Sequence, residues 1–223
     1  MQTFVILYNT KHTHKMENLL GTGNTKLKKT ASEFGVKIFN FSIPAGNDKS
    51  SGKITCPFAA SCLSLCYAKK GMYRFGNVER ALSKRYEASK EADFVARITS
   101  ELAKVKPGKQ VYVRIHDSGD FYSPAYFAKW LEIARLNPGV RFYAYTKSHS
   151  FIRGNFNLPE NFDLIYSLGS KNDELINQET ERHSKIFYSM DEMTAAGYTD
   201  ASYLDLNATK WFTPNNKIGL LIH

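Results

Sequence analysis

The sequence has no apolar run near the roughly 18–20 residues that a membrane-spanning helix needs. Its longest, Phe4 to Leu7 and Ile218 to Ile222, fall far short. It has no basic leader with an apolar stretch and a small-residue cleavage site, so no signal peptide is expected. Internal repeats and low-complexity segments are also missing, which excludes solenoid and disordered architectures. Acidic residues are few beside basic ones, 21 Asp+Glu against 30 Lys+Arg, for a formal net charge of +9. Cysteine is scarcest of the chemically active residues, with three in 223. An odd number cannot pair within the chain, and a reduced cytoplasmic setting is the expectation.

What is present is an ordinary globular composition, 43% hydrophobic, with a high aromatic share of 13%. The length suits one domain with an ample core. The basic balance fits a polyanionic partner, nucleic acid first among them. It fits equally a solvated surface that keeps the protein soluble. The excess is spread, with denser patches at Lys26–Lys29 and from Lys69 to Lys90.

Apolar strand patterns alternate with helical ones. Short strands are expected at Thr3–Tyr8, Val36–Ile43, Val111–His116, Val140–Tyr145, Leu164–Leu168, Lys185–Ser189 and Lys217–Ile222. A helical stretch from Asn77 to about Val105, with a break near Glu91–Asp93, follows the second of these. Another runs from the Ser123-Pro124 start to Leu136, before Asn137-Pro138-Gly139. Its apolar stripe of Phe127, Trp130, Leu131 and Ala134 reads as core. Gly21-Thr-Gly23-Asn-Thr-Lys26 lacks the Gly-Lys-Ser/Thr ending of a phosphate loop and reads as a turn. The alternation argues for a mostly parallel α/β sheet, open or curled towards a barrel, with chemistry at the carboxyl ends of its strands.

All three cysteines lie within eleven residues, Cys56, Cys62 and Cys66, in the loop after strand 36–43. Cys62 and Cys66 are one helical turn apart and share a face; Cys56 precedes a proline and can fold back over it. Three thiolates so placed suit a [4Fe-4S] cubane with one iron left open. Zinc would need a fourth ligand, for which His12, His14, His116 and His223 are candidates; His223 or His116 could equally cap the open iron. Buried or redox-active cysteines are the third reading. Polar residues after successive strands should converge on one rim with the cysteines: His116 with Asp117 and Asp120, Tyr145 with Lys147, Ser167 with Ser170, Ser189, and His223. His116, Tyr145 and Lys147 are the candidates for proton transfer or substrate contact. A hydrolase metal site on His116, Asp117 and Asp120 is a further alternative. So is a nucleic-acid module with a structural metal, in which Tyr67, Tyr73, Arg74, Phe75 and Arg80 interleave rings and cations.

The set Cys56…Cys62…Cys66-Tyr67-Ala68, Arg114-Ile-His116-Asp-Ser-Gly119-Asp120-Phe121, Tyr143-Ala-Tyr145-Thr146-Lys147-Ser148 and Leu220-Leu-Ile-His223 resembles the phage family catalogued as gene product 88. More distantly, the order of strand, three-cysteine loop, long helix, strand and Gly-acid motif is similar to the radical S-adenosylmethionine (SAM) enzymes. That likeness implies a partial (β/α) barrel over 36–223, an N-terminal extension over 1–35, a cluster on Cys56, Cys62 and Cys66, and SAM as a second cofactor. Ser118, Gly119 and Asp120 take the place of a Gly-Gly-Glu that holds the methionine ammonium. The cysteine spacing here is five then three, where those enzymes mostly have three then two. A phage origin would make the cytoplasm that of the host.

Overall fold

The computed structural model describes residues 18–48, 53–154 and 156–222. The strand expected at Thr3–Tyr8 lies outside them, as do His12, His14 and His223. In chain order the elements are α1 (Thr25–Glu33), β1 (Lys37–Phe41), β2 (Asn47–Asp48), β3 (Lys53–Ile54), α2 (Cys62–Leu65), α3 (Gly76–Lys90), α4 (Phe94–Ala103), β4 (Val111–Ile115), α5 (Pro124–Leu136), β5 (Val140–Thr146), α6 (His149–Ile152), β6 (Phe162–Ser167), β7 (His183–Phe187), α7 (Met190–Ala195), β8 (Thr199–Asp200) and β9 (Lys217–Leu221). Short 3₁₀ turns at Tyr67–Lys69, Gly71–Arg74, Asp173–Leu175 and Asp205–Ala208 complete the set.

Seven strands form one sheet in the order β1-β4-β5-β6-β7-β9-β8, and every pairing in it is parallel. The sheet curls into a half-barrel. β2 and β3 make a separate antiparallel pair. No helix of the described residues is long and apolar enough to cross a membrane.

Strand alternation divides the molecule into two cores. Phe39 and Phe41, Val113 and Ile115, and Phe142 and Ala144 face α3, α4 and α5. There Phe41, Phe94 and Trp130 meet edge to face, with centroids 5.2–5.5 Å apart, a geometry that adds to simple burial. The alternate residues Ile38, Tyr112 and Tyr143 pack on the other face against Leu27 of α1 and Leu206. Ile165, Ala201, Ala208 and Ile218 continue that layer. The Ser123 hydroxyl caps α5 by accepting the Tyr126 N–H at 3.2 Å, with Pro124 at the first helical position. The expected break near Glu91 separates α3 from α4.

The segment 21–26, expected to be a turn, instead launches α1. The Asn24 side chain accepts the Leu27 N–H at 3.0 Å as its cap. Helix α1 buries only Leu27 and Thr30, so it carries little of the apolar periodicity by which a helix is recognised.

Candidate functional site

The carboxyl ends of β1, β4, β5 and β6 meet the cysteine loop, which is pinned at both ends. The backbone N–H and the hydroxyl of Thr55 both donate to the Gly46 carbonyl, at 3.0 and 2.8 Å. The Thr55 carbonyl accepts the Asp120 N–H at 3.0 Å, tying the loop to the end of β4. Past Cys56, the Phe58 carbonyl accepts the Lys171 N–H at 2.9 Å and the Ala60 N–H donates to the Gly169 carbonyl at 3.3 Å, tying it to the end of β6.

On this frame the Cys56 sulfur accepts the Gly46 N–H at 3.3 Å. Cys62 begins α2 and Cys66 is its C-cap. All three are half-buried and none is in a disulfide. They lie within electrostatic reach of one another, since Cys62 and Cys66 both disfavour a negative charge on Cys56. Burial is the larger cause and pushes the Cys56 thiol up to about 12. Burial also raises Cys62, against the pull of Lys147. Among the described residues, no three His, Cys, Asp or Glu side chains, the three cysteines included, group as a site for a metal ion. The hydrolase arrangement of His116, Asp117 and Asp120 is therefore not formed.

Those three have separate tasks. His116 is buried, with its ring against Phe121 and its Nε2 2.8 Å from the Tyr126 hydroxyl. Burial and then Arg114 push its pKa down to about 3, so the imidazole is neutral. Asp117 accepts from Asn24 and Asn40, each at 3.2 Å, and from the Ser42 hydroxyl; its own carbonyl accepts the Tyr67 hydroxyl. The buried Asp120 carboxylate accepts from the Phe121 N–H at 2.7 Å, the Thr146 hydroxyl at 2.7 Å and the Lys147 N–H at 2.8 Å. Burial raises its pKa in spite of these donors.

Ser118 and Gly119 complete a strut between strand ends. The Ser118 hydroxyl donates to the Ile43 carbonyl at 2.8 Å, and the Ile43 N–H returns to the Ser118 carbonyl at 3.1 Å. Ser118, Gly119 and Asp120 thus clip the loops after β1, β4 and β5 together. Lys147 stands near Cys62 and runs beside Gly169. The Tyr145 ring lies under the Arg114 guanidinium, 4.3 Å from centroid to carbon, and its hydroxyl is buried with no hydrogen-bond partner among the described residues. Ser170 donates to the Lys147 carbonyl at 2.8 Å, and the Ser184 hydroxyl donates to Ser167 at 3.2 Å. Ser189 caps α7 by accepting the Glu192 N–H at 3.2 Å.

Sequence reasoning missed the polar floor of this mouth. The Asp205 carboxylate accepts from Arg114 at 2.5 Å, Lys26 at 2.8 Å and the Tyr143 hydroxyl at 2.8 Å. Burial alone would raise the Asp205 pKa, but Arg114 and Lys26 hold it well below the usual carboxylate range. The available signal was Arg114 itself, a charge inside the apolar run Val111-Tyr-Val-Arg-Ile. A cation on a buried strand needs an acid, but nothing local pointed 91 residues onward to Asp205.

Comparison with known proteins places this sequence in a lineage. Two curated relatives are called Gene 88 protein. That of Mycobacterium phage L5 is 35% identical over 102 residues, covering 42% of this chain and 43% of the relative. That of Mycobacterium phage D29 is 34% identical over 103 residues, covering 42% of each. The matched region thus spans under half the length of these relatives. No solved structure matches, and the resemblance to radical SAM enzymes gains no support from these comparisons. The family model described as Gene product 88 matches residues 17–221. With nearly the whole chain covered, the protein belongs to the gene product 88 family.

Proposed function

We propose that this phage-family chain is an iron–sulfur protein of the host cytoplasm that holds a [4Fe-4S] cluster on Cys56, Cys62 and Cys66 at the mouth of the half-barrel. One observation carries the reading: the only three cysteines of the sequence share one loop, clipped to the ends of β4 and β6, within electrostatic reach of one another. The donor set fits, since soft thiolates select clusters over hard cations. A cubane is wider than a single ion, so thiolates that ligate it need not converge as they would on zinc. The Gly46 N–H aimed at the Cys56 sulfur is the kind of outer-shell donor that orients a ligand and tunes a cluster.

When bound, such a cluster supplies Lewis-acid or one-electron chemistry at the iron that no cysteine holds. The chain's own part is to anchor the loop, through Thr55 and Asp120, and to set a cation, Lys147, beside Cys62. Tyr145 and Lys147 line the same mouth and are the groups suited to contact a substrate. His116 is engaged with Tyr126 inside the aromatic core, which favours His223, a substrate or an exogenous ligand at the open iron.

The SAM-using form of this proposal asks Asp120 to hold the methionine ammonium. Its carboxylate already accepts from Thr146, Lys147 and Phe121, which favours a cluster that works without SAM. Anaerobic purification followed by iron, sulfide and zinc analysis tests the reading. About four irons and four sulfides per chain are expected, with each falling sharply in Cys62→Ser. Stoichiometric zinc without iron would sink the cluster. A change in the EPR spectrum on adding SAM would restore the SAM-dependent form, and an unchanged spectrum would remove it.

A further inference from the structure

Immediately after Cys66 the chain makes two short 3₁₀ turns and enters α3, and this stretch has an unusual surface. Tyr67 is 60% exposed, Met72 66% and Phe75 59%, three large apolar side chains within nine residues. Exposed large side chains grouped in one short stretch of sequence are a candidate interaction surface. Cations surround them. Residues 67–80 hold Lys69, Lys70, Arg74 and Arg80 against the single acid Glu79, so fourteen residues carry +3 of the total +9. Among the described residues, no ion pair neutralises Lys69, Lys70, Arg74 or Arg80.

We propose that the exposed surface from Tyr67 to Arg80 binds single-stranded nucleic acid, with bases stacked on Phe75 and Tyr67 and phosphates held by Lys70, Arg74 and Arg80. The rings are mounted for it. The Tyr67 hydroxyl is anchored on the Asp117 carbonyl, and its ring meets Tyr73 edge-on at 5.9 Å, so the platform is rigid before anything binds. Met72 and Phe75 are three apart across a 3₁₀ turn, where side chains eclipse, and so share one side. The Arg80 guanidinium folds back over Gly76, 3.3 Å from where a Cβ would stand, which puts a cation next to Phe75. Exposed rings interleaved with cations are how sequence-tolerant single-strand binders work. A duplex keeps its bases stacked on each other and offers the rings nothing. An anionic membrane is the weaker fit, because the apolar residues are separate points on short turns rather than a continuous helix face. The proposal is independent of the cluster, although a strand lying here would run past Cys66 and the mouth.

The test is fluorescence anisotropy with the full-length chain, metal-analysed in the same sample. Labelled oligothymidine and oligouridine of about 15 nucleotides are compared with a duplex of equal length. The single strands should bind more tightly than the duplex. Log affinity should fall with log salt at a slope of about −2, as three phosphate contacts at about −0.7 each require. Phe75→Ala should weaken single-strand binding about five-fold or more. The double variant R74E/R80E should weaken it at least ten-fold and make the salt slope shallower by about 1.4. These side chains are exposed, so circular dichroism should match the parent. K28E/K29E imposes the same charge change on α1, where both lysines are exposed, and should bind nearly as the parent does. No binding at low salt overturns the proposal, as does an equal loss in K28E/K29E or a Phe75→Ala that binds normally. Variants that lose affinity for phosphatidylserine vesicles but not for oligonucleotides would assign the surface to a membrane instead.

Discussion

His116 illustrates how a residue with the right chemistry can be put to another use. Its backbone lies in the left-handed region at φ 62°, alone among the described non-glycine residues. This is a conformation that histidine and asparagine tolerate better than most. Turned this way, the ring is buried against Phe121 and Tyr126 and stays neutral, its pKa pushed down to about 3 by burial and by Arg114. The unfolded chain protonates near 6.5. The stability tied to this neutral ring is therefore complete above pH 6.5 and is lost as pH falls towards 3. His116→Asn keeps a side chain suited to the backbone and removes the titration. The urea-derived stability of the parent should fall between pH 7 and pH 5 by about 2 kcal/mol more than that of His116→Asn. Subtracting the two profiles removes the share of every other group. Parallel profiles would mean that the ring is not held neutral, and His116 would regain its claim to proton transfer.

At the scale of elements, most of the scaffold was legible. Six of the expected strands coincide, to within two residues at each end, with β1, β4, β5, β6, β7 and β9, because each is a β-branched and aromatic run bounded by turn residues. The two-residue strands β2, β3 and β8 are too short to show a pattern. Helix α1 was lost because its polar sequence buries so little. Its end is nonetheless written in Gly35, at φ 62°, whose neighbour Val36 donates to Ala31 at 3.0 Å in a Schellman-type close. The site was legible only in part. The cysteine loop was placed correctly after β1, whereas the strut that Ser118, Gly119 and Asp120 make between strand ends was not foreseen. Tertiary packing makes the strut, and the tripeptide alone does not show it. The strut predicts its own fragility. A Cβ on Gly119, at φ 82°, would stand 2.3 Å from the Ile43 Cγ1 and 3.1 Å from its carbonyl oxygen. Gly119→Ala should cost about 2–4 kcal/mol of stability, from the clash and the backbone together. Gly35→Ala, with nothing within 4 Å of its Cβ, should cost about 1 kcal/mol. Equal midpoints in chemical denaturation would mean that the strand ends are not locked at Ser118–Asp120.

Over the whole molecule, one buried carboxylate joins segments that the chain keeps far apart. Asp205 gathers Lys26 of α1, Arg114 of β4 and Tyr143 of β5, and its backbone N–H donates to the Thr30 hydroxyl at 2.9 Å. Helix α1 and the 205–208 turn are thereby fastened over one half of the sheet's inner face. Ala201 and Ala208 continue the same cover over Ile165 and Ile218, while the cysteine loop stays at the carboxyl ends of the strands. A buried ion pair is weak evidence for net stability, but removing one partner strands the other charge away from water. Asp205→Asn should therefore cost about 3–5 kcal/mol, leaving Arg114 and Lys26 facing a neutral amide. The exposed pair Glu87–Lys90, 2.9 Å apart with side chains 58% and 44% exposed, makes the contrast. Glu87→Gln should change stability by no more than about 0.5 kcal/mol, since solvent screens it. Measured side by side in urea, a large loss for Asp205→Asn and none for Glu87→Gln would identify the 26–114–143–205 cluster as the tie between the two ends of the chain. A small loss at both positions would mean that apolar packing of Leu27 and Leu206 against Tyr112 and Tyr143 closes the inner face unaided.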